Sequence, residues 1–521
     1  MKSTKLLSDE EVRRFIVDGY LILQTGQPRE FHASVDKRLR EVESHESWHG
    51  NNIAARVPAL HEVIRSPSVH GALVSLLGSD YLCHPHRAVH MSTPVDDHRL
   101  HLDNADDSPP MGKGSTAGSG WHQDAQSPLS RARHHQPRFL IGFYFPHDTT
   151  LLMGPTRLQA GSHWWPHPPV KPSGVVVPQH LAAGSFILVH FDMVHAGFSN
   201  RTDMSRFMIK YVFCRMSNPK EPTWRSMNDK WQLPKSIKAE LISESAARFN
   251  WCWLRGVRLG LEDSANVQAL DGQDIGAMLD ATYMKCPVDL LCERLRSKAG
   301  SNHHQRIFVK DENGSALLRD NIVGYPRRWN ERAVVMEPET YALVAQGQDA
   351  VGGLLGLVGL SDPWLDINIA YGLGELGCCD EDVLEVLEGY LHSPWQQVVR
   401  QAVDAIGFLG ANVSRLCPKL VNLMQEERPE WQAKEVTRGW RAQDQIRFNV
   451  VFAAVALLST TTDRNALLAI FKMALLDQGY CAQVAVEGLR RIGSKEALAL
   501  ALSYAADRSW DDTLLGSFKA F

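Results

Sequence analysis

Apolar and polar positions alternate differently in the two halves of the chain. From about residue 80 to 215, short apolar runs are broken by Gly and Pro, at Phe139–Phe145, 175–177, 185–189 and 207–213. Runs of this length between turn residues predict strands, and many in series predict a sandwich or barrel. Upstream, Leu7-Ser8-Asp9-Glu10-Glu11 opens a short helix. Ser8 is placed to cap it, Glu11 completes a capping box, and Val12 and Phe15 share one face. Asp18-Gly19 predicts a turn into the strand Tyr20-Leu21-Ile22-Leu23. Residues 93–120 are polar and rich in Gly, Ser, Pro and Asp, which predicts a long exposed loop, of a length that is usually either functional or disordered. After about residue 225 the pattern turns helical. Leu233-Pro234 predicts a helix through Ile237, Leu241 and Ile242, and Pro287 predicts another through Leu290, Leu291 and Leu295.

The last third repeats itself. Residues 364–377, ending Gly374-Glu375-Leu376-Gly377, resemble residues 395–410, ending Gly407-Phe408-Leu409-Gly410. A third copy runs from 445 to 459, and a fourth ends Leu489-Arg490-Arg491-Ile492-Gly493. Small residues at helical spacing before a closing Gly suit stacked helix pairs. These copies resemble HEAT-type repeats, which implies an α-helical solenoid. The expected division is therefore residues 1–225 as a β-domain, 226–345 as a helical extension or connector, and 346–521 as HEAT-like repeats.

Composition narrows the function. A chain of 521 residues with 44% hydrophobic and 22% charged residues is globular and multidomain. With 55 Lys+Arg against 59 Asp+Glu, it offers no field for a polyanion, so nucleic acid is not an expected partner. No apolar run of roughly 18 residues predicts a membrane span. The acidic start Ser8-Asp9-Glu10-Glu11 is unlike a secretory signal, and nine scattered cysteines fit a reduced, cytoplasmic setting.

Histidine concentrates the chemistry. Fourteen of 22 histidines fall between residues 80 and 200. Three form His-x-Asp triplets, at His101-Leu102-Asp103, His122-Gln123-Asp124 and His190-Phe191-Asp192. On a strand, positions i and i+2 share a face, so such a pair with a distant His forms the 2-His-1-carboxylate triad of non-haem Fe(II). His190 has no suitable later histidine, and His101 sits in the polar loop. His122 and Asp124 have His195 73 residues after His122, so these three are the expected metal ligands and catalytic centre. Arg206, 11 residues past His195 at the head of an apolar strand, is placed to bind the far carboxylate of a 2-oxo acid.

Four blocks carry a family resemblance across residues 1–215. They are the opening Leu7-Ser8-Asp9-Glu10-Glu11 helix with its Asp18-Gly19-Tyr20 turn, Trp121-His122-Gln123-Asp124, Gly154-Pro155-Thr156-Arg157 running to Gly161-Ser162-His163, and His195 with Asn200 and Arg206. In this order they resemble the phytanoyl-CoA dioxygenase family of Fe(II)/2-oxoglutarate oxygenases. The resemblance implies a double-stranded β-helix, a jelly-roll relative of the cupins. It implies Fe(II), 2-oxoglutarate and O₂, with ascorbate as a candidate reductant, and hydroxylation of a C–H bond of a small organic molecule with release of succinate and CO₂. It makes Thr156 a second cosubstrate contact and His163 a structural residue. Trp164 and Trp165 are placed either to line a substrate mouth or to pack. Asp124 favours oxidation over halogenation, since related halogenases carry a small residue there. Ala160, Met153 and Phe143 depart from the usual Pro, Asn and Trp, which alters loop rigidity and pocket shape. The repeats suit a protein partner or carrier. The alternative is a catalytically degenerate β-domain that serves with the repeats as an interaction scaffold.

Overall fold

A computed structural model describes residues 3–45, 53–94, 132–133, 136–164, 174–239, 244–256, 286–299, 309–310, 316–317, 334–335, 337–409, 411–429, 442–460, 463–477 and 480–508. The first helix, α1 (Asp9–Asp18), closes the expected capping box. Glu11 N–H donates to Ser8 Oγ at 3.3 Å, and Ser8 N–H donates to Glu11 Oε2 at 2.7 Å. Gly19 ends it in the left-handed region, at φ 77°, where a Cβ would come within 2.3 Å of Met193. The chain then enters the first strand, as predicted.

Eight of the described strands build the two main sheets of the N-terminal part: β1 (Tyr20–Gln24), β2 (Leu82–Ser92), β3 (Phe139–Phe145), β4 (Arg157–Gln159), β5 (Val175–Val176), β6 (Ser185–His190), β7 (His195–Ala196) and β8 (Arg206–Cys214). Five of them form an antiparallel sheet in the order β1-β6-β3-β8-β2, and three form a smaller sheet in the order β7-β4-β5. The two-sheet core is jelly-roll-like. Every residue of β8 is buried, so both sheet faces are covered, which explains its nearly unbroken apolar run. One face meets α2 (Arg29–His45), where His32 Nδ1 lies 2.8 Å from Tyr144 Oη. The other meets the small sheet, where the rings of Phe143 and His195 lie 5.4 Å apart.

Register shows which side chains share the inner face. Phe143 is opposite both Ile187 and Lys210, while Tyr144 is opposite Phe186 and Ile209. Directly opposed residues share a face, and side chains alternate along a strand. Arg206, Met208 and Lys210 therefore lie on the same face as Phe143.

The helical part begins with α3 (Glu244–Leu254) and α4 (Val288–Ser297), followed by α5 (Pro338–Ala345) and α6 (Ala350–Leu355). It continues with α7 (Pro363–Leu376), α8 (Glu381–Leu391), α9 (Gln396–Leu409), α10 (Cys417–Leu423) and α11 (Ala442–Leu457). It closes with α12 (Arg464–Ala474), α13 (Tyr480–Ile492) and α14 (Lys495–Arg508). The repeated motifs fall on α7, α9, α11 and α13, and each of these packs on the next. Small residues let them approach, since a Cβ on Gly374 would lie 2.8 Å from Ala405 and one on Gly407 3.1 Å from Ala453. Helices on both sides of residue 346 belong to this array, because α4 packs on α5 and α6, and α5 packs on α7.

The helices also cover the edge strand β2. His84 of β2 stacks on Phe452 of α11 at 5.6 Å, and Arg491 of α13 donates to Tyr81 O at 3.1 Å. One expectation fails. Residues 233–239 form no helix, because Asp18 Oδ1 accepts from the N–H groups of Lys238 and Ala239, at 2.7 and 2.9 Å. A carboxylate on a distant helix thus fixes this backbone in an irregular path. Pro287 does precede a helix, α4. None of the nine cysteines forms a disulfide, and among the described residues no helix is long and apolar enough to cross a membrane.

Candidate functional site

His195 forms β7 and is buried. Its Nδ1 lies 2.9 Å from Met193 O. A carbonyl only accepts, so Nδ1 carries the proton and Nε2 keeps the lone pair that a metal requires. The backbone around it is held by the Gly-Ser-His loop. Ser162 Oγ accepts from Val194 N–H at 2.8 Å, and β7 pairs with β4, placing His195 opposite Leu158.

The Gly-Pro-Thr-Arg block fastens the other side of His195. Gly154 adopts φ 70°, and a Cβ there would lie 2.2 Å from Phe198 O, so only glycine allows this approach. Arg157 donates from Nε to Gly197 O at 3.2 Å, with its guanidinium 5.0 Å from the Phe198 ring centroid. Thr156 is buried at the start of β4, beside the strand that bears His195.

Arg206 opens β8 and is only 4% exposed. Its Nε and Nη1 find no acceptor among the described residues. Burial pushes its pKa down to about 10, and no carboxylate among the described residues offsets that burial. Nearby His147 adds no second cation. Burial lowers its pKa, and it donates from Nδ1 to Asp148 O at 2.9 Å while Nε2 accepts from Phe207 N–H at 3.1 Å. Asn200 shapes the turn between His195 and Arg206, donating to Ser92 O at 2.9 Å and to Met204 O at 2.7 Å.

His122 and Asp124 lie outside the described residues, as do His101, Asp103 and Trp165. The structure therefore brings His195, Thr156 and Arg206 to one two-sheet core and leaves the rest of the expected triad as an expectation. Among the described residues no group of three or more His, Cys, Asp or Glu side chains converges for a metal. His190 ends β6 and ties down the turn after it, with Nδ1 accepting from Asp192 N–H at 3.1 Å and Nε2 3.3 Å from Gln136 O. His163 is structural, as expected, with Nε2 3.0 Å from Ile16 O. Trp164 packs rather than lining a mouth, since its Nε1 donates to the same carbonyl at 3.1 Å.

Sequence reasoning missed two residues. Ser162 positions the backbone before His195. Lys210, 7% exposed, places a charge on the inner sheet face. A lone lysine in an apolar strand was its visible signal.

Arg206 fits an anionic cosubstrate, because its buried Nε and Nη1 find no acceptor among the described residues. His195 fits a metal through its tautomer. Residues 3–208 match the family model for phytanoyl-CoA dioxygenase (PhyH). No curated protein matches the chain. Among solved structures, the chain is similar to a non-heme monooxygenase, the ThoJ–Ni complex, at 18% identity and a TM-score of 0.28, over 46% of this chain and 94% of that one. It is similar to the epimerase SnoN in complex with Fe3+, alpha ketoglutarate and nogalamycin RO, at 16% identity and a TM-score of 0.30, over 44% and 93%. It is also similar to EctD from S. alaskensis with 2-oxoglutarate and 5-hydroxyectoine, at 16% identity and a TM-score of 0.32, over 46% and 88%. Residues 3–208 of this chain form a phytanoyl-CoA dioxygenase (PhyH) family domain.

Proposed function

We propose that the protein is an Fe(II)- and 2-oxoglutarate-dependent oxygenase that hydroxylates a C–H bond of a small organic molecule. His122, Asp124 and His195 are assigned as the iron ligands, Arg206 as the anchor for the distal carboxylate of 2-oxoglutarate, and Thr156 as a second cosubstrate contact. Bound Fe(II), with 2-oxoglutarate and O₂, supplies the oxidising chemistry, and succinate and CO₂ are released.

One observation carries this reading. The Arg206 guanidinium is buried, with Nε and Nη1 finding no acceptor among the described residues, on the same sheet face as Phe143, whose ring abuts His195. Burying an uncompensated charge is costly unless a ligand completes it. Four residues separate Arg206 from Lys210, the partner of Phe143, or about 13 Å along the strand. A guanidinium arm and a five-carbon dicarboxylate in series can bridge that distance. A degenerate domain would have no use for such a charge. Met193 O holds the His195 ring, and the Phe143 ring shields it from water. Residues 346–521 are assigned to a HEAT-like stack, 226–345 to a helical extension, and 1–225 to the oxygenase domain.

The test is conversion of 2-oxoglutarate to succinate with Fe(II) and ascorbate. Activity is expected in the wild type and in His101→Ala, and it is expected to vanish in His122→Ala, Asp124→Ala and His195→Ala. An active His195→Ala would sink the assignment.

A further inference from the structure

Away from the catalytic face, two arginines meet where the sheet, α3 and the helical array join. Arg138 stands just before β3 and Arg215 just after β8, and Arg215 N–H donates to Arg138 O at 2.8 Å. Both guanidiniums lie against Trp253 of α3, with their central carbons 5.0 and 5.2 Å from its ring centroid. Phe408 of α9 approaches Arg138 at 4.4 Å. Between them lies a cavity of about 40 Å³, lined by Arg138, Arg215, Tyr371, Glu375, Gln401 and Asp404.

The charges around this cavity do not balance locally. Arg138, 1% exposed, pairs through Nη2 with Glu375 of α7, but its Nε and Nη1 find no acceptor among the described residues. Arg215, 5% exposed, donates from Nη2 to Leu76 O at 2.7 Å and from Nη1 to Ser217 O at 3.4 Å, and its Nε finds none. Asp404 Oδ1 already accepts from Asn449 Nδ2 at 3.3 Å. Burial first, and then repulsion from Arg138, pushes Arg215 down to about 9, and the field of Asp80 opposes this only in part. Glu375 offsets Arg138, while Arg215 stays without a paired carboxylate. Three buried nitrogens without an acceptor among the described residues thus belong to the two repelling cations that line this small cavity. A water-sized occupant needs about 10–15 Å³ by this measure, so the space is large enough for a monatomic ion.

We propose that this junction binds a single halide ion, chloride under ordinary conditions, held by Arg138 Nε and Nη1 and by Arg215 Nε. The ion neutralises Arg215 and clamps the sheet ends to α7 and α9. Because it binds only the folded chain, stability rises with halide concentration.

Two measurements on the full-length protein test this. Crystals soaked in sodium bromide are expected to show an anomalous peak within hydrogen-bond distance of both guanidiniums. Thermal melts in sodium chloride are expected to lie about 2–4 °C above melts in sodium gluconate at equal ionic strength. Arg215→Met is expected to abolish that difference. Should Arg215→Met fail to fold, the bromide map of the wild type still decides. Absence of the peak, a peak only at surface sites (an adventitious ion only), or equal melts in the two salts would overturn the proposal in favour of a water-filled junction.

Discussion

The catalytic sheet and the helical array both bury cations, but they treat them in opposite ways. In the helical array, Lys298 Nζ lies 2.6 Å from carboxylate oxygens of both Glu337 and Glu339. Burial alone would lower the Lys298 pKa, yet the two carboxylates outweigh it and hold the amine above the usual lysine value. In the sheet, Arg206 is buried with no counter-charge among the described residues, and burial lowers its pKa. A buried cation that is already clasped serves architecture. One left open in a two-sheet core suits the anion-binding role proposed for Arg206.

The largest expected effect breaks the clasped side of this contrast. Lys298→Met leaves two carboxylates buried without a cation and should cost about 3–5 kcal/mol, read as a marked fall in Tm. The same change should leave the KM for 2-oxoglutarate untouched. An unaltered melt would mean that the clasp is decoration.

Arg206→Ala is the converse. Losing charge-assisted hydrogen bonds worth about 1.5–3 kcal/mol should raise the KM for 2-oxoglutarate roughly 10- to 100-fold. The Tm should hold or rise, because an uncompensated buried charge has been removed. A lower Tm with unchanged KM would place Arg206 among the structural residues.

The smallest effect sharpens the helical side, where one acid lacks a cationic partner. Burial, reinforced by Asp362, pushes Asp366 up to about 6. Its folded-state pKa exceeds the unfolded one, so the folded chain holds the proton more tightly. Stability therefore falls as pH rises from about 4 to 6. Asp366→Asn should raise stability above pH 6 by about 1 kcal/mol after solvent screening, and should change little near pH 3.5. Melts of both proteins across this range check it.

What could be read in the chain beforehand was local. The capping box of α1, the Gly19 turn and the bounds Phe139–Phe145 depend on neighbours a few residues away, and they stand as expected. The spacing of His195 and Arg206 was legible because both belong to compact blocks. The path of residues 233–239 was not, because the deciding acceptor, Asp18, lies 220 residues from Lys238. For the same reason nothing in the repeats announced that Glu375 would meet Arg138, or that Phe452 would stack on His84. Ser162 was visible only as part of a motif. Its bond to Val194 N–H requires two loops 32 residues apart to be packed together.

The cover over β2 has a consequence for biosynthesis. The sheet gains β2 as its edge only once β8 ends at Cys214, while the helix that stacks on β2 through Phe448 and Phe452 is translated about 230 residues later. At 5–20 residues per second, that interval is roughly 10–50 s. Throughout it, the nascent sheet presents a bare edge to other emerging chains, since unpaired strand edges template further pairing. Production of this protein should therefore respond to translation speed and to chaperone supply, more than the stability of the finished molecule would suggest.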